Sequence, residues 1–316
     1  MMNETALVTG GAGFIGSHIV EELVNQRYNV KVFDSLVKGK KSSIQKLIDQ
    51  GKVEFIEGDL RDRDSVDKAM KNVNYIFHTA GIHIIRSMES PDECIEVNIR
   101  GSYNIFKSAC DHNVKRIIFS SSSSVYGDPD RLPMSEDSEI KPTEPYGASK
   151  WMCEKLLEFL AKKNGIEYNI LRYFNVYGSR QAAHAYYTTV IIAFIKRILN
   201  NEAPIIDGKG DQSMDFTHVS DVVNGNILAM KSNVKNEVFN IGTGVSTSVA
   251  QLAEILRNAI NSNVKPIFRD REVVCTKRQA DTRKAEKLLG FKSKISVEEG
   301  LTKVAQEIKE NPELYT

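Results

Sequence analysis

The chain has 316 residues, of which 41% are hydrophobic and 26% charged, and this is enough for one large domain plus a smaller lobe. Forty-two lysines and arginines nearly cancel 41 aspartates and glutamates, so the net charge of +1 argues against a basic nucleic-acid surface or an acidic tail. Four cysteines and six histidines are scattered along the chain, and no apolar run approaches the ~20 residues that span a bilayer.

Neither a secretion signal nor a membrane anchor is indicated. The N-terminus enters an apolar run and a glycine loop at once, without the basic region and cleavage site of a signal peptide. Widely spaced cysteines are typical of reduced thiols, not of a disulfide framework or a metal site. We therefore expect a cytoplasmic protein that binds no nucleic acid, no membrane and no metal.

Strand and helix patterns alternate through the first half of the chain. Short apolar runs predict strands at 5–9, 30–33, 53–56, 75–78, 116–119 and 168–171. Apolar residues at helical spacing predict helices at 14–26, 65–71, 91–112 and 146–163. This alternation predicts an α/β fold, a doubly wound parallel sheet of the Rossmann type, with ligands beyond the carboxyl ends of the strands.

The pattern loosens after about residue 174. We expect a loop at 180–187, helices at 190–199, 219–230 and 248–259, a glycine-rich turn region at 204–212 and a strand at 237–241. The predicted division is a Rossmann domain of residues 1–174 plus about 215–241. Residues 175–214 plus 242–316 are expected to form a smaller lobe over the sheet edge.

Three glycines, Gly10, Gly13 and Gly16, lie between the first strand and the first helix. Glycine permits the tight turn and lets a pyrophosphate approach the backbone, while the helix N-terminus supplies free N–H donors. Asp34 ends the second strand, where a carboxylate accepts both ribose hydroxyls and repels a 2′-phosphate. The pattern predicts NAD binding rather than NADP binding. Asp59, after the third strand, is either an acceptor for the adenine amino group or a strand-end cap.

Tyr146 and Lys150 are spaced i and i+4 and fall on one face of a predicted helix. A phenol with a pKa near ~10 is a poor base at neutral pH. A nearby ammonium group and the positive nicotinamide favour the phenolate, so this pair predicts a tyrosine that acts as general base and acid.

A run of five serines, 120–124, follows the fifth predicted strand. Hydroxyls at that position point into the ligand crevice, and the alternative is a polar exit from the strand into a loop. We favour a functional role because the run lies between the glycine loop and the Tyr146 motif.

With these motifs in place, the chain resembles the extended short-chain dehydrogenase/reductase family, in particular the sugar-nucleotide epimerases similar to UDP-glucose 4-epimerase. The resemblance covers nearly the whole chain and rests on five phrases, at residues 9–16, 58–60, 124–127, 145–150 and 172–178.

The resemblance implies the catalytic roles. Tyr146 takes the proton from the sugar 4-hydroxyl, and Ser122 shares a hydrogen bond with that hydroxyl. Lys150 holds the nicotinamide ribose and lowers the tyrosine pKa. A hydride passes from C4 to NAD, the 4-keto sugar rotates, and the hydride returns to its other face, so that NAD is recycled.

The resemblance also implies the binding residues. Those for the cofactor are Gly10, Gly13, Phe14, Ile15, Gly16, Asp34, Asp59, Leu60, Ala80, Ser120, Tyr146, Lys150 and Tyr173. Those for the substrate are Ser122, Ser124, Asn175, Arg271 and Arg278. Arg271 is expected on the diphosphate, because a guanidinium suits phosphate geometry, although a surface arginine is an equal reading of the sequence.

Within this family several substrates stay open. Dehydratases place an Asp-Glu pair directly after the catalytic hydroxyl, where this chain has Ser123 and Ser124. Glucuronate epimerases carry threonine at the Asn175 position and an arginine where this chain has Ala182. Arg278 stands near the position that gates room for an N-acetyl group. We expect a UDP-glucose/UDP-galactose 4-epimerase. The alternatives are a UDP-N-acetylhexosamine or UDP-uronate 4-epimerase, another nucleotide-sugar oxidoreductase or dehydratase, and a non-catalytic NAD-binding regulator.

Two positions depart from the family pattern. Met214 stands where an arginine normally contacts phosphate, and Val273-Val274 replace a Gly-Asp pair beyond the Arg271 position. Both lie in the predicted substrate lobe, so they affect the diphosphate contacts and not the cofactor half.

The resemblance further implies a homodimer. Two long helices of each subunit, at 91–112 and 146–163, form a four-helix bundle in this family. Periodicity alone would also allow these helix faces to pack on the sheet of their own subunit.

Overall fold

Residues 4–181, 189–270 and 277–312 are described by the computed structural model of the chain. Within them, seven parallel strands form one sheet in the order β11-β6-β5-β4-β1-β2-β3. Its strands are β1 (Thr5–Thr9), β2 (Asn29–Asp34), β3 (Val53–Glu57), β4 (Tyr75–His78), β5 (Arg116–Ser122), β6 (Glu167–Tyr173) and β11 (Glu237–Ile241). The predicted doubly wound parallel sheet is confirmed.

Six shorter strands pair outside this sheet. They are β7 (Val176–Tyr177), β8 (Ile205–Asp207), β9 (Ser213–Met214), β10 (Thr217–His218), β12 (Thr247–Ser248) and β13 (Ile267–Arg269). The pairs are β7 with β10, β8 with β13, and β9 with β12.

The helices connect and cover the strands. They are α1 (Phe14–Asn25), α2 (Gln45–Asp49), α3 (Arg63–Ala69), α4 (Ile84–Glu89), α5 (Pro91–Cys94), α6 (Ser102–Asp111), α7 (Pro145–Asn164), α8 (Thr189–Leu199), α9 (Val219–Lys231), α10 (Val249–Ala259), α11 (Arg283–Leu289) and α12 (Val297–Glu310). A π-helix, Ile95–Gly101, joins α5 to α6, and 3₁₀ turns occupy Lys41–Ser43 and Ser123–Tyr126.

The central strands are apolar on both faces because helices cover both sides of the sheet. Along β1, Ala6 and Val8 face one core, while Leu7 faces the other. Helices α1 and α9 pack into the first core, and α3, α6 and α7 pack into the second. None of the helices in the described part of the chain is long and apolar enough to cross a membrane.

A separate apolar cluster lies among the last helices. Ile195 of α8, Leu252 and Leu256 of α10, and Leu301 and Val304 of α12 are buried against one another. Strand β11 and helix α9 meanwhile belong to the main sheet and its first core. The predicted boundaries between domain and lobe stay a prediction.

Two sequence predictions of local structure are corrected. The helix expected at 91–112 contains the seven-residue π-helix, in which Asn98 bonds to Ile82, outside the helix, and helical periodicity does not reveal such a widened turn. The turn region expected at 204–212 contains β8, which pairs with β13 about sixty residues later. Pairing over such a distance leaves no local signal in the sequence.

Strand β5 is three residues longer than predicted. Ser120, Ser121 and Ser122 continue the strand and pair with Leu171, Arg172 and Tyr173 of β6. Polar residues suggested a loop, but β6 runs alongside and pairs with all three serines, while the pairing with β4 ends at Phe119. The serine run therefore begins inside the sheet and leaves it only at Ser123.

Candidate active site

The glycine loop between β1 and α1 is closely packed. Gly10 has φ +69°, and a Cβ atom there would lie 2.9 Å from the backbone of Ala80. A Cβ atom at Gly16 would lie 2.2 Å from the carbonyl oxygen of Gly10. Gly13, the N-cap of α1, offers no side chain to its first N–H groups, so these donors are available to an anion. Phe14 and Ile15 begin the helix at the same place.

Asp34 lies beside this loop at the end of β2. Its Oδ2 accepts a hydrogen bond from the Ala12 amide at 3.0 Å, and its Oδ1 accepts one from the Leu36 amide at 2.8 Å. Each carboxylate oxygen has further acceptor capacity for a ribose hydroxyl. Asp34 thus lies beside the glycine loop, and its contact with the ribose stays a prediction.

Asp59 and Leu60 follow β3. Both Asp59 oxygens bind Arg61, with Oδ1 accepting its backbone amide at 2.8 Å and Oδ2 its guanidinium at 2.6 Å. This hydrogen bonding lowers the pKa of Asp59. Leu60 is buried in the second core, and its carbonyl accepts from Asn104. The contacts fit the alternative reading of Asp59 as a strand-end cap, and its adenine contact stays a prediction.

The end of β5 meets the N-terminus of α7. Lys150 Nζ donates to the Ser120 carbonyl at 2.8 Å and lies 5.7 Å from the centre of the Tyr146 ring. The Ser122 hydroxyl lies close enough to the Tyr146 phenol to lower its pKa. Ser122, Tyr146 and Lys150, separated by up to 28 residues, thus meet at one point above the sheet edge.

Opposing influences act on the pKa values of Tyr146 and Lys150. Burial raises the pKa of Tyr146 above its usual range, the nearby Ser122 hydroxyl lowers it, and the Glu144 charge raises it further. Burial also lowers the pKa of Lys150, while the neighbouring Cys153, Cys94 and Glu154 raise it. Each group is shifted towards its neutral form, so an added positive charge would favour the phenolate.

Three other predicted cofactor residues line the same sheet edge. The Ser120 hydroxyl and the Tyr173 phenol are hydrogen-bonded at 2.9 Å, and Tyr173 also bonds to Asn226 of α9. Burial raises the pKa of Tyr173 to about 12, so this phenol is neutral. Ala80, at the end of β4, donates its amide to the Thr9 hydroxyl at 3.3 Å.

The predicted substrate residues are only partly together. Ser124 is buried and donates its amide to the Ser122 hydroxyl at 3.1 Å. Burial raises the pKa of Glu144, and the charge of the buried Arg278 is near enough to oppose that shift. Asn175 donates to the Asp215 carbonyl at 3.2 Å. Arg271 lies outside the described residues, together with Ala182 and Val273-Val274.

Met214 has a packing role in this structure. It is buried in the apolar cluster formed by α8, α10 and α12, and it pairs with Thr247 across β9 and β12. A methionine at this position fills the core of the lobe, where an arginine would have to be desolvated.

The family model for the NAD dependent epimerase/dehydratase family matches residues 6–242. The chain belongs to this family. Members of the NAD dependent epimerase/dehydratase family use NAD, which is therefore the cofactor of this chain. Its glycine cradle, in which a Cβ at position 10 or 16 would collide with backbone, fits the pyrophosphate of that cofactor.

Relatives within the family carry several names. The "Putative UDP-glucose 4-epimerase" of Methanocaldococcus jannaschii is 40% identical, over 96% of this chain and 98% of its own length. The solved UDP-glucose 4-epimerase of Thermotoga maritima with UDP-glucose is 35% identical, with a TM-score of 0.90 over 98% of this chain and 99% of that one. The UDP-N-acetylglucosamine 4-epimerase of Methanobrevibacter ruminantium with UDP-N-acetylmuramic acid is 34% identical, with a TM-score of 0.91 over 98% and 100%.

Sequence reasoning missed three residues at this site. Asn98 donates to the Ser149 hydroxyl at 2.9 Å and accepts the Ile82 amide at 2.7 Å. Glu144 caps α7 by accepting the Gly147 amide at 2.9 Å, and the N-cap rule could have found it. Glu154 continues the i, i+4 spacing of Tyr146 and Lys150.

Proposed function

We propose that the chain is a UDP-hexose 4-epimerase that interconverts UDP-glucose and UDP-galactose. The observation that carries the proposal is the meeting of Ser122, Tyr146 and Lys150, with Ser123 and Ser124 directly after the hydroxyl in place of acids. The named 4-epimerases at 34–40% identity over nearly the whole chain support the same reaction class.

The chemistry follows from the geometry of the catalytic residues. NAD, when bound, supplies the oxidation of the sugar at C4 and its re-reduction. Tyr146 takes the proton from the 4-hydroxyl and returns it in the second half of the reaction. The Ser122 hydroxyl lies beside the Tyr146 phenol, so we place it on the same sugar hydroxyl. Lys150, held by the Ser120 carbonyl beside the phenol, favours the ionised form of Tyr146 when its own amine is protonated.

No net electron or proton is consumed, because each one removed from the sugar is given back. In this proposal Asp34 and the glycine loop hold the cofactor, with Ser120 and Tyr173 at the sheet edge. Ser124, Asn175, Arg271 and Arg278 hold the nucleotide-sugar. The buried position of Arg278 near Glu144 supports a role for this side chain in lining the sugar pocket.

The decisive experiment is to incubate the purified NAD-loaded protein with UDP-galactose and separate the products by chromatography. UDP-glucose should form without added reductant, and NADH should not accumulate. Tyr146→Phe, prepared in the same way, is the control. Absence of interconversion in a protein with bound NAD would overturn the proposal. Steady accumulation of NADH would instead indicate an oxidoreductase.

A second candidate is a UDP-N-acetylhexosamine 4-epimerase. The relative from Methanobrevibacter ruminantium, named for UDP-N-acetylglucosamine, supports it at 34% identity. Initial rates with UDP-galactose, UDP-N-acetylglucosamine and UDP-glucuronate, measured side by side, separate these candidates. An Arg278→Ser variant should gain activity on the N-acetylated substrate if Arg278 restricts the space beside the sugar.

We also propose that the protein is a homodimer built on α7. Four apolar side chains are about half exposed or more on neighbouring elements: Met88 of α4, Ile95 of the π-helix, and Met152 and Phe159 of α7. Met152 and Phe159 are seven residues apart and share one helix face. An exposed apolar face of this kind supports contact with a second copy of the chain.

We place the protein in the cytoplasm. The cysteines Cys94, Cys110 and Cys153 of the described residues are free thiols. Several free thiols in one protein are typical of a reducing compartment, and this supports a cytoplasmic location.

A further inference from the structure

Helix α7 carries a buried carboxylate on the face of its predicted catalytic pair, Tyr146 and Lys150. Tyr146, Lys150 and Glu154 are spaced i, i+4 and i+8, so they form one stripe along the helix. Glu154 has no exposed side-chain surface. A fully buried carboxylate is costly unless it is paired and hydrogen-bonded, so its partners define what it does.

Glu154 binds two neighbouring strands at once. Its Oε1 accepts from Arg172 Nε at 3.0 Å and from the Ser121 hydroxyl, and its Oε2 accepts from Arg172 Nη2 at 2.6 Å. Ser121 and Arg172 are register partners on β5 and β6. The carboxylate therefore ties the helix to both strands at one level of the sheet.

Two successive residues of β5 are held by this one helix. Lys150 binds the carbonyl of Ser120, and Glu154 binds the side chain of Ser121. Ser122, the next residue, is the one whose hydroxyl lies beside the Tyr146 phenol and lowers its pKa. Two attachment points one residue apart fix both the distance and the register of helix against strand. The Ser122–Tyr146 geometry follows from that register.

Arg172 extends the connection across the sheet. Its Nη1 donates to the Tyr126 phenol at 2.9 Å, and Tyr126 donates to Asn240 of β11 at 2.7 Å. Asn240 in turn donates to the Met134 carbonyl, and Met134 pairs with Ala280, two residues from Arg278. The catalytic helix is thus linked by buried hydrogen bonds to the segment that bears Arg278.

We propose that Glu154 is a positioning residue of this enzyme: by binding Ser121 and Arg172 it holds α7 in register with β5, so that Ser122 and Tyr146 meet the same substrate hydroxyl. The proposal rests on the proposed function for its chemistry. It does not depend on which UDP-sugar is the substrate, since the register is a property of the protein alone.

Glu154→Gln and Ser121→Ala test the proposal in the NAD-loaded protein. Each should lower kcat by about tenfold to a hundredfold, because small misplacement of reacting groups has costs of that order. KM should change by less than about threefold, since ground-state binding is left in place. Rates are measured on whichever UDP-sugar the wild type converts fastest.

The matched control is Glu167→Gln. Glu167 pairs with Arg116 at 2.6 Å on the same two strands, at the opposite edge of the sheet. This variant should lose thermal stability and keep the kcat of the wild type. The double variant Glu154→Leu/Arg172→Met removes both buried charges, so it should regain the stability lost in Glu154→Gln while kcat stays low.

Amide hydrogen exchange supplies a readout that needs no substrate. Peptides covering residues 120–126 should exchange faster in Glu154→Gln and Ser121→Ala than in Glu167→Gln. If the wild-type protein converts no UDP-sugar, the proposed function is wrong. The positioning role of Glu154 is then tested by the hydrogen-exchange data alone. Unchanged exchange, or a kcat that recovers together with stability in the double variant, overturns the positioning role.

Discussion

A tyrosine can act as a base near neutral pH only where its surroundings offset the cost of burying a phenolate. Around Tyr146, burial and the Glu144 charge raise the pKa, and the nearby Ser122 hydroxyl opposes them. Lys150 is close, but its own pKa is lowered by burial. In the proposed reaction the protein supplies the geometry of the base, and the positive charge of bound NAD would favour its ionisation.

Replacing the phenol hydroxyl of Tyr146 should remove the proton transfer and little else. Tyr146→Phe is expected to lower kcat by about 10²- to 10⁴-fold, the usual contribution of a general base and acid. Affinity for NAD, measured by titration, should be retained. Tyr28→Phe, at the opposite edge of the sheet beside Tyr75, is the control and should keep full activity. A Tyr146→Phe enzyme within a few-fold of wild type would contradict this role.

Glu144→Gln should shift the pH profile in a defined direction. The carboxylate of Glu144 raises the pKa of Tyr146, so removing its charge lowers that pKa. The phenolate then forms at lower pH, and the acidic limb of the kcat profile moves to lower pH. Glutamine can still accept the Gly147 amide, so the cap of α7 is kept.

Glu139→Gln is the control for that experiment. Glu139 is an exposed carboxylate upstream in the same loop, paired with Lys141, and its loss should leave the profile in place. A shift of the Glu144→Gln profile to higher pH would contradict the assigned electrostatics.

At the scale of single elements, the β1–α1 turn and the π-helix bring backbone segments unusually close together. The turn from β1 to α1 brings the Gly10 carbonyl so near to Gly16 that no Cβ fits between them. The π-helix similarly brings Asn98 to both Ile82 and Ser149, which links the loop after β4 to α7. In both cases the backbone path, more than any side-chain charge, creates the site.

The variant Gly16→Ala tests whether NAD binding depends on the close contact between Gly16 and the Gly10 carbonyl. The new Cβ would lie 2.2 Å from the Gly10 carbonyl oxygen, so the loop must open. Overpacking of this kind costs about 1–3 kcal/mol, and NAD affinity should fall by about tenfold or more as the donors move apart. Calorimetric titration with NAD measures the loss. In Gly51→Ala no atom lies within 4 Å of the new Cβ, and NAD affinity should be unchanged.

At the scale of the whole molecule, parallel strands gather residues from distant parts of the chain. The carboxyl ends of β1, β2, β4, β5 and β6 lie at one edge, and Gly10, Asp34, Ala80, Ser122 and Tyr173 are found there. The apolar cluster of α8, α10 and α12 forms a core of its own. The predicted cofactor and catalytic residues therefore come together through the order of the parallel strands.

The proposed dimer is also a property of the whole molecule. Phe159→Glu places a charge on the exposed apolar face of α7, where Phe159 is 62% exposed, and it should convert a dimer to a monomer. Light scattering after size-exclusion chromatography measures the mass. Leu288→Glu adds the same charge to an exposed apolar residue of α11 and should leave the dimer intact. A wild-type protein of monomeric mass would contradict the proposal.

The sequence by itself determined the features that depend on near neighbours. The alternation of strands and helices, the glycine loop with Asp34, and the i, i+4 pair of Tyr146 and Lys150 all rest on residues close in the chain, whose geometry follows from local backbone rules. These local features are sufficient to predict the Rossmann fold and the use of NAD without knowledge of any tertiary contact.

Only the tertiary structure decided what depends on distant partners. It revealed the pairing of β8 with β13, the π-helix around Asn98, the continuation of β5 through Ser122, and the contacts of Glu154 with Ser121 and Arg172. Each of these arises from residues tens of positions apart that the sheet brings together. The role of a buried carboxylate such as Glu154 cannot be predicted from the sequence alone. The free-energy cost of burying it depends on the hydrogen-bond and charge partners that the fold brings to it.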